Sequence, residues 1–399
     1  MNSGQITYNL SKIFFLKVLR SENWLPVRPG FKSLEHYRKE YKQNNEHDTG
    51  ATGLITDHGD VWKEFRSTVN PVMLQPKTIK LYTVKADSVN SMKANRDEKN
   101  MIINDFDKEM NLWALESIGT VALGCRLNCF DPNLPADSPE WQLIQCVHDL
   151  FVIASELDFK PSLWRYFSTP MYKKAMNFLT KHFLEKGKAQ LKLKKSDGEK
   201  GVLEKLLEIN EEVAHIMASD MLFAGVDTAA NTVTATLYLL ASNPEKQEKL
   251  REELLSKSER RPYLKACIKE SLRVMPVVSG NMRLTSKEYN ILGYKIPKNV
   301  YMSLMEENYP RAREYIPERW VAKKDDPLYY GNAHPFAHGP FGFGARSCIG
   351  RRIAELEMEA FVARLIENFR VEWSGPPPNV VQASLNYIKG PYNFIFKDV

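Results

Sequence analysis

The most chemically loaded stretch of the chain is FGFGARSCIG, residues 341–350, where one cysteine stands among glycines just ahead of a helix-like run. Five roles suit such a cysteine: apolar filler, nucleophile, zinc ligand, part of a phosphate loop, or ligand of an iron. A phosphate loop needs its glycines followed by Lys-Ser/Thr or a strand–turn–helix setting, whereas Ile-Gly-Arg follows Cys348. Zinc in a structural site wants four ligands. His334 and His338 are near in sequence, but Pro335 and Pro340 break any helix that would align them. A nucleophile needs a partner base, and no histidine adjoins Cys348. An inert buried thiol remains as the plain alternative to an iron ligand.

The setting of Cys348 argues against inertness. A helix N-terminus offers unpaired N–H groups and a positive dipole end, which would lower a thiol's pKa. Gly342 and Gly344 permit a tight loop with backbone amides aimed at sulfur. Gly350 lets the first helical turn lie flat against something wide, and Arg346 can pair with a carboxylate on it. A flat ligand carrying a metal and peripheral carboxylates is a haem, and thiolate ligation of haem iron favours O–O cleavage.

Other residues could do chemistry but are weak alone. AGVDTAAN, residues 224–231, reads as mid-helix close packing at Gly225, with Thr228 able to bond back to a helix carbonyl. Glu270 and Arg273 in ESLR form an i,i+3 pair, in isolation a surface contact. Trp62 and Arg66 in WKEFR lie one turn apart, so one helix face offers an indole N–H and a guanidinium.

Helices must position these groups. Helix-like blocks cover 59–75, 78–95, 105–124, 139–157 and 170–195, with Pro71 ending or kinking the first. The basic run KGKAQLKLKK closing the fifth reads as a solvated face. One long helix is expected over 203–241, stopped by Asn243-Pro244. A charged helix over 244–256 follows, then one bounded by Pro262 and Pro276. Residues 280–303 have short apolar runs broken by Gly and Pro, which predicts small strands. The last helix spans 349–367, with Ile349, Ile353, Leu356, Ala360 and Ala363 as one buried stripe. From Gly375 the chain reads as loop and short strand. The class is mainly α with minor β, in one domain over 1–399, since no linker or internal repeat divides it.

A net charge of +6 is too mild to argue for nucleic acid, but suits an acidic protein partner or an anionic membrane surface. Five cysteines, odd in number and without a CxxC, argue against a disulfide framework; Cys125 and Cys129 read as small hydrophobes. KIFFLKVL is too short to span a bilayer, and no secretory signal or transit peptide opens the chain.

FGFGARSCIG matches the haem-thiolate signature FxxGxRxCxG at every fixed position, and on it the chain resembles the cytochrome P-450 family. The resemblance implies a single large haem domain with Cys348 as axial ligand of haem b (iron protoporphyrin IX). It implies that Gly225 lets its helix approach the haem and that Asp227 and Thr228 hold water and relay protons at the oxygen site. Glu270, Arg273 and Arg319 (in YIPERW) would form a buried structural network holding the cysteine loop, tolerable only if each charge is paired. Trp62, Arg66, Arg283 and Arg346 would clamp the haem propionates. Leu222, Phe223 and Ala224, with segments 277–281, 52–56 and 384–387, would line an apolar pocket for a lipophilic, steroid-like or foreign substrate.

Lys265, Lys269, Arg351 and Arg352 resemble the positions at which mitochondrial members receive an acidic [2Fe–2S] ferredoxin. CIGRRIAELEME, WLPVRPGF and VNPVMLQPK are most similar to the insect mitochondrial branch. That implies a mitochondrial enzyme peripheral to the inner membrane that takes electrons from ferredoxin and one oxygen atom from O2. The family's transit peptide, first helix and first strands are not recognised, and residues 256–262 and those before Arg319 are shorter than the family's pattern. Two functions follow: a haem-thiolate monooxygenase, or a haem- or ligand-binding remnant without turnover. The reduced, carbon monoxide-treated spectrum discriminates them.

Overall fold

The computed structural model describes residues 53–55, 57–74, 87–102, 106–123, 126–131, isolated positions from 133 to 157, 169–178, 201–256, 258, 260–278, 283–284, 288–291, 294–296, 301–302, 309–333, 335–381 and 385–399. Side chains at 87, 88, 123, 175–178 and in the strands between 283 and 302 fall outside that description, apart from Asn290.

Helix α1, Gly59–Met73, buries Trp62, Phe65, Val69, Val72 and Met73, a 3-4-3-1 spacing that makes one apolar face. Pro71 lies inside it, close enough to the end that the helix stops two residues later; Leu74 N–H closes on Asn70 O at 3.0 Å. Helix α2 is Asp87–Ala94, α3 Phe106–Leu123 and α4 Pro170–Phe178. The described residues of the expected 139–157 helix are helical at 141, 142, 144, 145, 149, 153 and 157. The basic run after α4 lies outside the described residues.

The expected single helix over 203–241 is two helices, α5 Val202–Leu207 and α6 Glu211–Ala241. The break has a local cause. Asn210 is extended (φ −161°, ψ 120°), its side-chain oxygen accepts Val213 N–H at 3.0 Å, and Glu211 and Glu212 fill the first turn at the positive dipole end. Helix α6 is buried on most of its surface, which marks it as the central element.

Pro244 opens α7, Pro244–Leu255, and Pro262 opens α8, Pro262–Val274. Strands β1 Arg283–Leu284 and β4 Tyr301–Met302 pair antiparallel, as do β2 Tyr289–Ile291 and β3 Tyr294–Ile296. Helix α9, Arg351–Asn368, runs directly into β5, Phe369–Trp373, a strand not expected from the sequence. β5 pairs with β8, Phe394–Asp398, and β6, Asn379–Val381, pairs with β7, Tyr387–Lys389. Gln247 of α7 explains why β5 is held: its amide accepts Val371 N–H at 2.9 Å and donates to Val371 O at 2.8 Å.

The buried stripe of α9 differs from the expected one. Ile353 and Ala363 are buried, but Ile349, Leu356 and Ala360 are only half-buried. Met358, Phe361, Val362, Leu365 and Ile366 carry the core, because α9 packs against α6, α7 and α8 at once. Phe361 stacks on Trp113 of α3, ring centroids 4.2 Å apart. Among the described residues, Cys267 and Cys348 are free thiols and Cys129 is buried; Cys125 and Cys146 lie outside them. Among the described residues, no helix is long and apolar enough to cross a membrane.

Candidate functional site

Two glycines shape the loop before α9. Gly342 (φ 68°) and Gly344 (φ 70°) are left-handed, a conformation that a side chain would strain. Gly342 N–H donates to Gly339 O at 2.9 Å, Ser347 N–H to Gly344 O at 3.0 Å, and Cys348 N–H back to Phe341 O at 2.8 Å. The loop is thus closed by its own backbone, and it delivers Cys348 to the start of α9 with its side chain accessible.

Dense surroundings raise the Cys348 thiol above its ordinary pKa; N–H bonds from Gly350 and Arg351 and the charges of Arg66 and Arg351 pull it back down. The N–H groups at the start of α9 act in the expected direction, and the atoms crowding the sulfur on its inner side outweigh them. A coordinated cation deprotonates a thiol outright, and that is the form in which Cys348 would bind iron. Gly350 is not left-handed, and a Cβ there would meet only Cys348 Sγ at 3.9 Å. Among the described residues, no group of three or more His, Cys, Asp or Glu is placed to hold a metal ion; His334 lies outside them.

Three of the four expected propionate ligands come together beside this loop. The Arg346 guanidinium lies 4.0 Å from the centroid of the Trp62 ring, and that of Arg66 lies 5.9 Å away. Trp62 Nε1 and Arg346 Nη1 both donate to Leu54 O, at 3.2 and 3.1 Å, and Arg346 Nη2 donates to Asp57 O. Arg66 donates to Ser347 O at 3.1 Å and to Asn70 Oδ1 at 2.8 Å. Burial works against the charge of Arg66, yet among the described residues no carboxylate reaches it. A half-buried guanidinium without an acidic partner fits an anionic group of a ligand. Arg283 lies in β1; its side chain is outside the described residues.

Helix α6 carries the residues expected at the oxygen site. Ala224 is exposed and Thr228 half-buried, while Leu222 and Phe223, expected in the pocket, belong to the hydrophobic core. Thr228 Oγ1 donates to Ala224 O at 2.6 Å, the back-bond expected of it. Asp227 is buried, and its carbonyl accepts Asn231 Nδ2 at 2.8 Å. The close approach that Gly225 permits is to α3: a Cβ there would meet Ile118 Cγ1 at 2.7 Å. Asp220 of α6, not singled out in the sequence, accepts Leu54 N–H at 2.8 Å and so ties the 53–57 segment to this helix. Thr52 and Thr56 lie outside the described residues, as do 279–281 and 384. The remaining parts of those expected pocket segments meet, since Asn386 N–H donates to Val277 O at 2.8 Å.

Glu270 is 0% exposed and gathers five hydrogen bonds. Arg273 Nε and Nη2 bind it bidentately at 2.9 and 2.8 Å, and Arg319 Nε reaches it at 3.3 Å. Ile316 N–H and Trp320 Nε1 each donate to it at 2.9 Å. Both arginines also donate to carbonyls of 311–314, so α8 grips the segment leading toward the cysteine loop. Trp320 was missed, although PERW already places a donor-only indole beside Arg319. Its ring packs tilted against His338, centroids 4.5 Å apart. Burial, with Lys269 adding, pushes that imidazole down to about 4.

The four expected partner-binding cations share a region but are partly spent. Lys265 lies 3.8 Å from Glu359, and Arg351 pairs with Glu355 at 2.9 Å. Arg352 donates to Leu74 O at 3.3 Å, and Lys269 Nζ lies 5.8 Å from the Trp320 ring centroid.

The sequence pattern of the cytochrome P450 family matches residues 31–396. Cytochrome P450 CYP12A2 of Musca domestica is 38% identical, over 96% of this chain and 80% of its own length. Two Drosophila melanogaster relatives, probable mitochondrial cytochromes P450 12a5 and 12c1, are each 37% identical, covering 96% and 94% of this chain and 80% and 78% of their own. The Musca alignment runs to 431 positions, more than the 399 residues of this chain, so it opens gaps in it. The retinoic acid-bound cyanobacterial CYP120A1 shares the fold, with a TM-score of 0.71 at 21% identity over 92% of this chain and 83% of that one.

Proposed function

The chain belongs to the cytochrome P450 family of haem-thiolate monooxygenases, and from that membership we propose a mitochondrial enzyme that oxygenates a lipophilic substrate with electrons from an acidic [2Fe–2S] ferredoxin. What carries the reading is the convergence of Cys348, Trp62, Arg66 and Arg346 at the start of α9. Cys348 Sγ would hold the iron, and Arg66, Trp62 and Arg346 would hold the propionates. When bound, the haem supplies dioxygen activation and insertion of one oxygen atom into an apolar C–H or C=C bond. Two electrons and two protons accompany each turnover, and the second oxygen atom leaves as water.

Protons enter through this chain's own groups. Thr228 Oγ1, anchored to Ala224 O, keeps its acceptor lone pairs for water, and Asp227 lies next along the helix. Exposed Ala224 gives the substrate an apolar wall without bulk, and the joined 276–278 and 385–387 segments limit where it can sit. The relatives' mitochondrial names support the compartment. The basic positions 265, 269, 351 and 352 support the donor.

The deciding experiment is the absorption spectrum of the reduced, carbon monoxide-treated protein. A red-shifted, thiolate-type Soret band, lost in Cys348→Ala, is expected. An unshifted band, absence of haem, or persistence of the shifted band in Cys348→Ala refutes the assignment. The gaps opened against the Musca relative favour one second reading, a haem-binding protein without turnover. That reading predicts the same band with no product formed from any lipophilic compound in a ferredoxin-supported assay.

A further inference from the structure

We propose that Asn70 is a positioning residue for the haem: its side-chain oxygen aims the Arg66 guanidinium so that Nη2 is left for a propionate, and it does so without adding a charge that would compete with that carboxylate. The inference rests on Arg66 as a propionate ligand, proposed above, and adds the residue that places it.

The placement begins in the sequence. Trp62, Arg66 and Asn70 recur every fourth residue of WKEFRSTVN, so they stack along one face of α1. Side chains on a helix lean toward its N-terminus, and Asn70 therefore leans back onto the turn that carries Arg66. Its own backbone is held in the closing turn, where Asn70 O accepts Leu74 N–H at 3.0 Å.

An Arg–Asn pair four residues apart is ordinarily a weak contact on a helix surface. This pair differs in three ways. First, both side chains are half-buried, and Arg66 crosses from α1 to the cysteine loop, where Nη1 donates to Ser347 O at 3.1 Å. Second, the bond to Asn70 Oδ1 is made by Nε, at 2.8 Å. A guanidinium has no acceptor, so the amide oxygen is the atom that faces it. Bonds on both Nε and Nη1 fix the plane of a rigid, flat group. Third, those two bonds leave Nη2 without a hydrogen-bond acceptor among the described residues. Asn70 and Ser347 together thus set the direction in which the open end of Arg66 points.

Residue type matters as much as place. Aspartate at position 70 would accept the same bond, but it would cancel the charge that a propionate needs and set a second anion beside it. Alanine would leave the charge and lose the aim. Asparagine supplies an acceptor without a charge. The other contacts of Arg66 follow the same rule: Ser347 O is neutral, and Trp62 meets the guanidinium with its ring, centroid 5.9 Å away. Burial already works against the charge of Arg66, so a carboxylate brought by a ligand gains more from it than it would in water. The same guanidinium is near enough to Cys348 for the two charges to act on one another, which puts the sulfur and the proposed propionate contact in one site.

The test compares the haem-loaded parent with Asn70→Ala, Asn70→Asp, Arg66→Leu and the double variant Asn70→Ala with Arg66→Leu. The rate of haem loss to excess apomyoglobin, the ferric–ferrous midpoint potential and the urea midpoint are measured for each. Asn70→Ala should speed haem loss on the order of tenfold, the cost of removing a hydrogen bond behind a ligand. Asn70→Asp should speed it as well and shift the potential to more negative values, which a loss of helix stability alone would not do. In the Arg66→Leu background, Asn70→Ala should change haem loss by less than about twofold, because the group it aims is gone. If Asn70→Ala does not fold, the isosteric Asn70→Asp decides. Parental haem loss in Asn70→Ala, with faster loss in Arg66→Leu, overturns the positioning role and leaves Arg66 as a propionate ligand. Effects of Asn70→Ala and Arg66→Leu that simply add also overturn it, since Asn70 then acts on the fold and not through Arg66. Asn70→Asp with parental haem loss and potential shows that a neutral acceptor is not required, and the proposal fails. Parental haem loss in Arg66→Leu removes the propionate reading itself and this inference with it.

Discussion

Glu270 is the point at which the fold can be broken most selectively. Its side chain accepts five hydrogen bonds at zero exposure. Glu270→Leu leaves Arg273 and Arg319 buried without their counterion, a loss of about 3–5 kcal/mol for a broken buried pair. It also orphans Ile316 N–H and Trp320 Nε1, about 1–3 kcal/mol each. The combined loss, on the order of 5–10 kcal/mol, reaches the whole stability of a typical native protein. The variant should fail to yield haem-loaded protein. Trp320→Phe removes one donor and leaves four, so its cost is about 1.5–3 kcal/mol, that of one hydrogen bond to a charged group. It should fold, and the urea midpoint of its thiolate-type band should fall while the band position holds. Replacing Glu270, Arg273 and Arg319 together by Leu, Leu and Met should recover folded protein that Glu270→Leu alone does not, since no buried charge is left unpaired. A Glu270→Leu protein with parental yield and urea midpoint would refute the reasoning. So would a Trp320→Phe midpoint equal to the parent's.

Other substitutions test the remaining packing and electrostatics. Gly225→Ala should destabilise by about 1–3 kcal/mol in urea titrations because its Cβ meets Ile118 at 2.7 Å; Ile118→Val in the same chain should return part of that, and no recovery would contradict the contact. Glu357 is buried with Oε2 unpartnered among the described residues, and burial lifts its carboxyl well above the usual range. The folded state then keeps a proton that the unfolded chain releases above the ordinary Glu value, so this group's contribution to stability falls as pH rises from there through the folded pKa. Glu357→Met should therefore stabilise by about 1–3 kcal/mol, more at pH 8 than at pH 5; an equal or smaller gain at pH 8 would refute this. Asn210→Ala should cost about 1 kcal/mol through the lost cap on Val213 N–H, read from the same urea midpoint.

Most of the helical framework was legible because periodic apolar spacing and prolines mark α1, α3, α7 and α8 directly. The break at Asn210 was not, because apolar periodicity runs across it while the cap acts through one side-chain bond. β5 was hidden for a different reason. FRVEW follows α9 without a turn signal, and its strand character comes from partners far along the chain, β8 and Gln247. At the site, spacing alone left Glu270 and Arg273 as a surface pair; it was the family resemblance that implied their burial with Arg319, and the structure brings the three together. The apolar pocket wall was less readable: Leu222, Phe223 and Ala224 are neighbours in sequence, but helix rotation alone decides that only Ala224 is exposed. Asp220 and Trp320 act through contacts to residues 166 positions upstream and 50 positions upstream respectively, which no local pattern records.

One residue joins α6 to the neighbourhood of the cysteine loop. Leu54 gives its N–H to Asp220 of α6 and its carbonyl to Trp62 and Arg346 beside the cysteine loop. It works as a rivet through two plates. At this corner the two sides part when Leu54 gives up either its one bond to Asp220 or its two from Trp62 and Arg346. The join is therefore as strong as its α6 side, one charge-assisted hydrogen bond to Asp220.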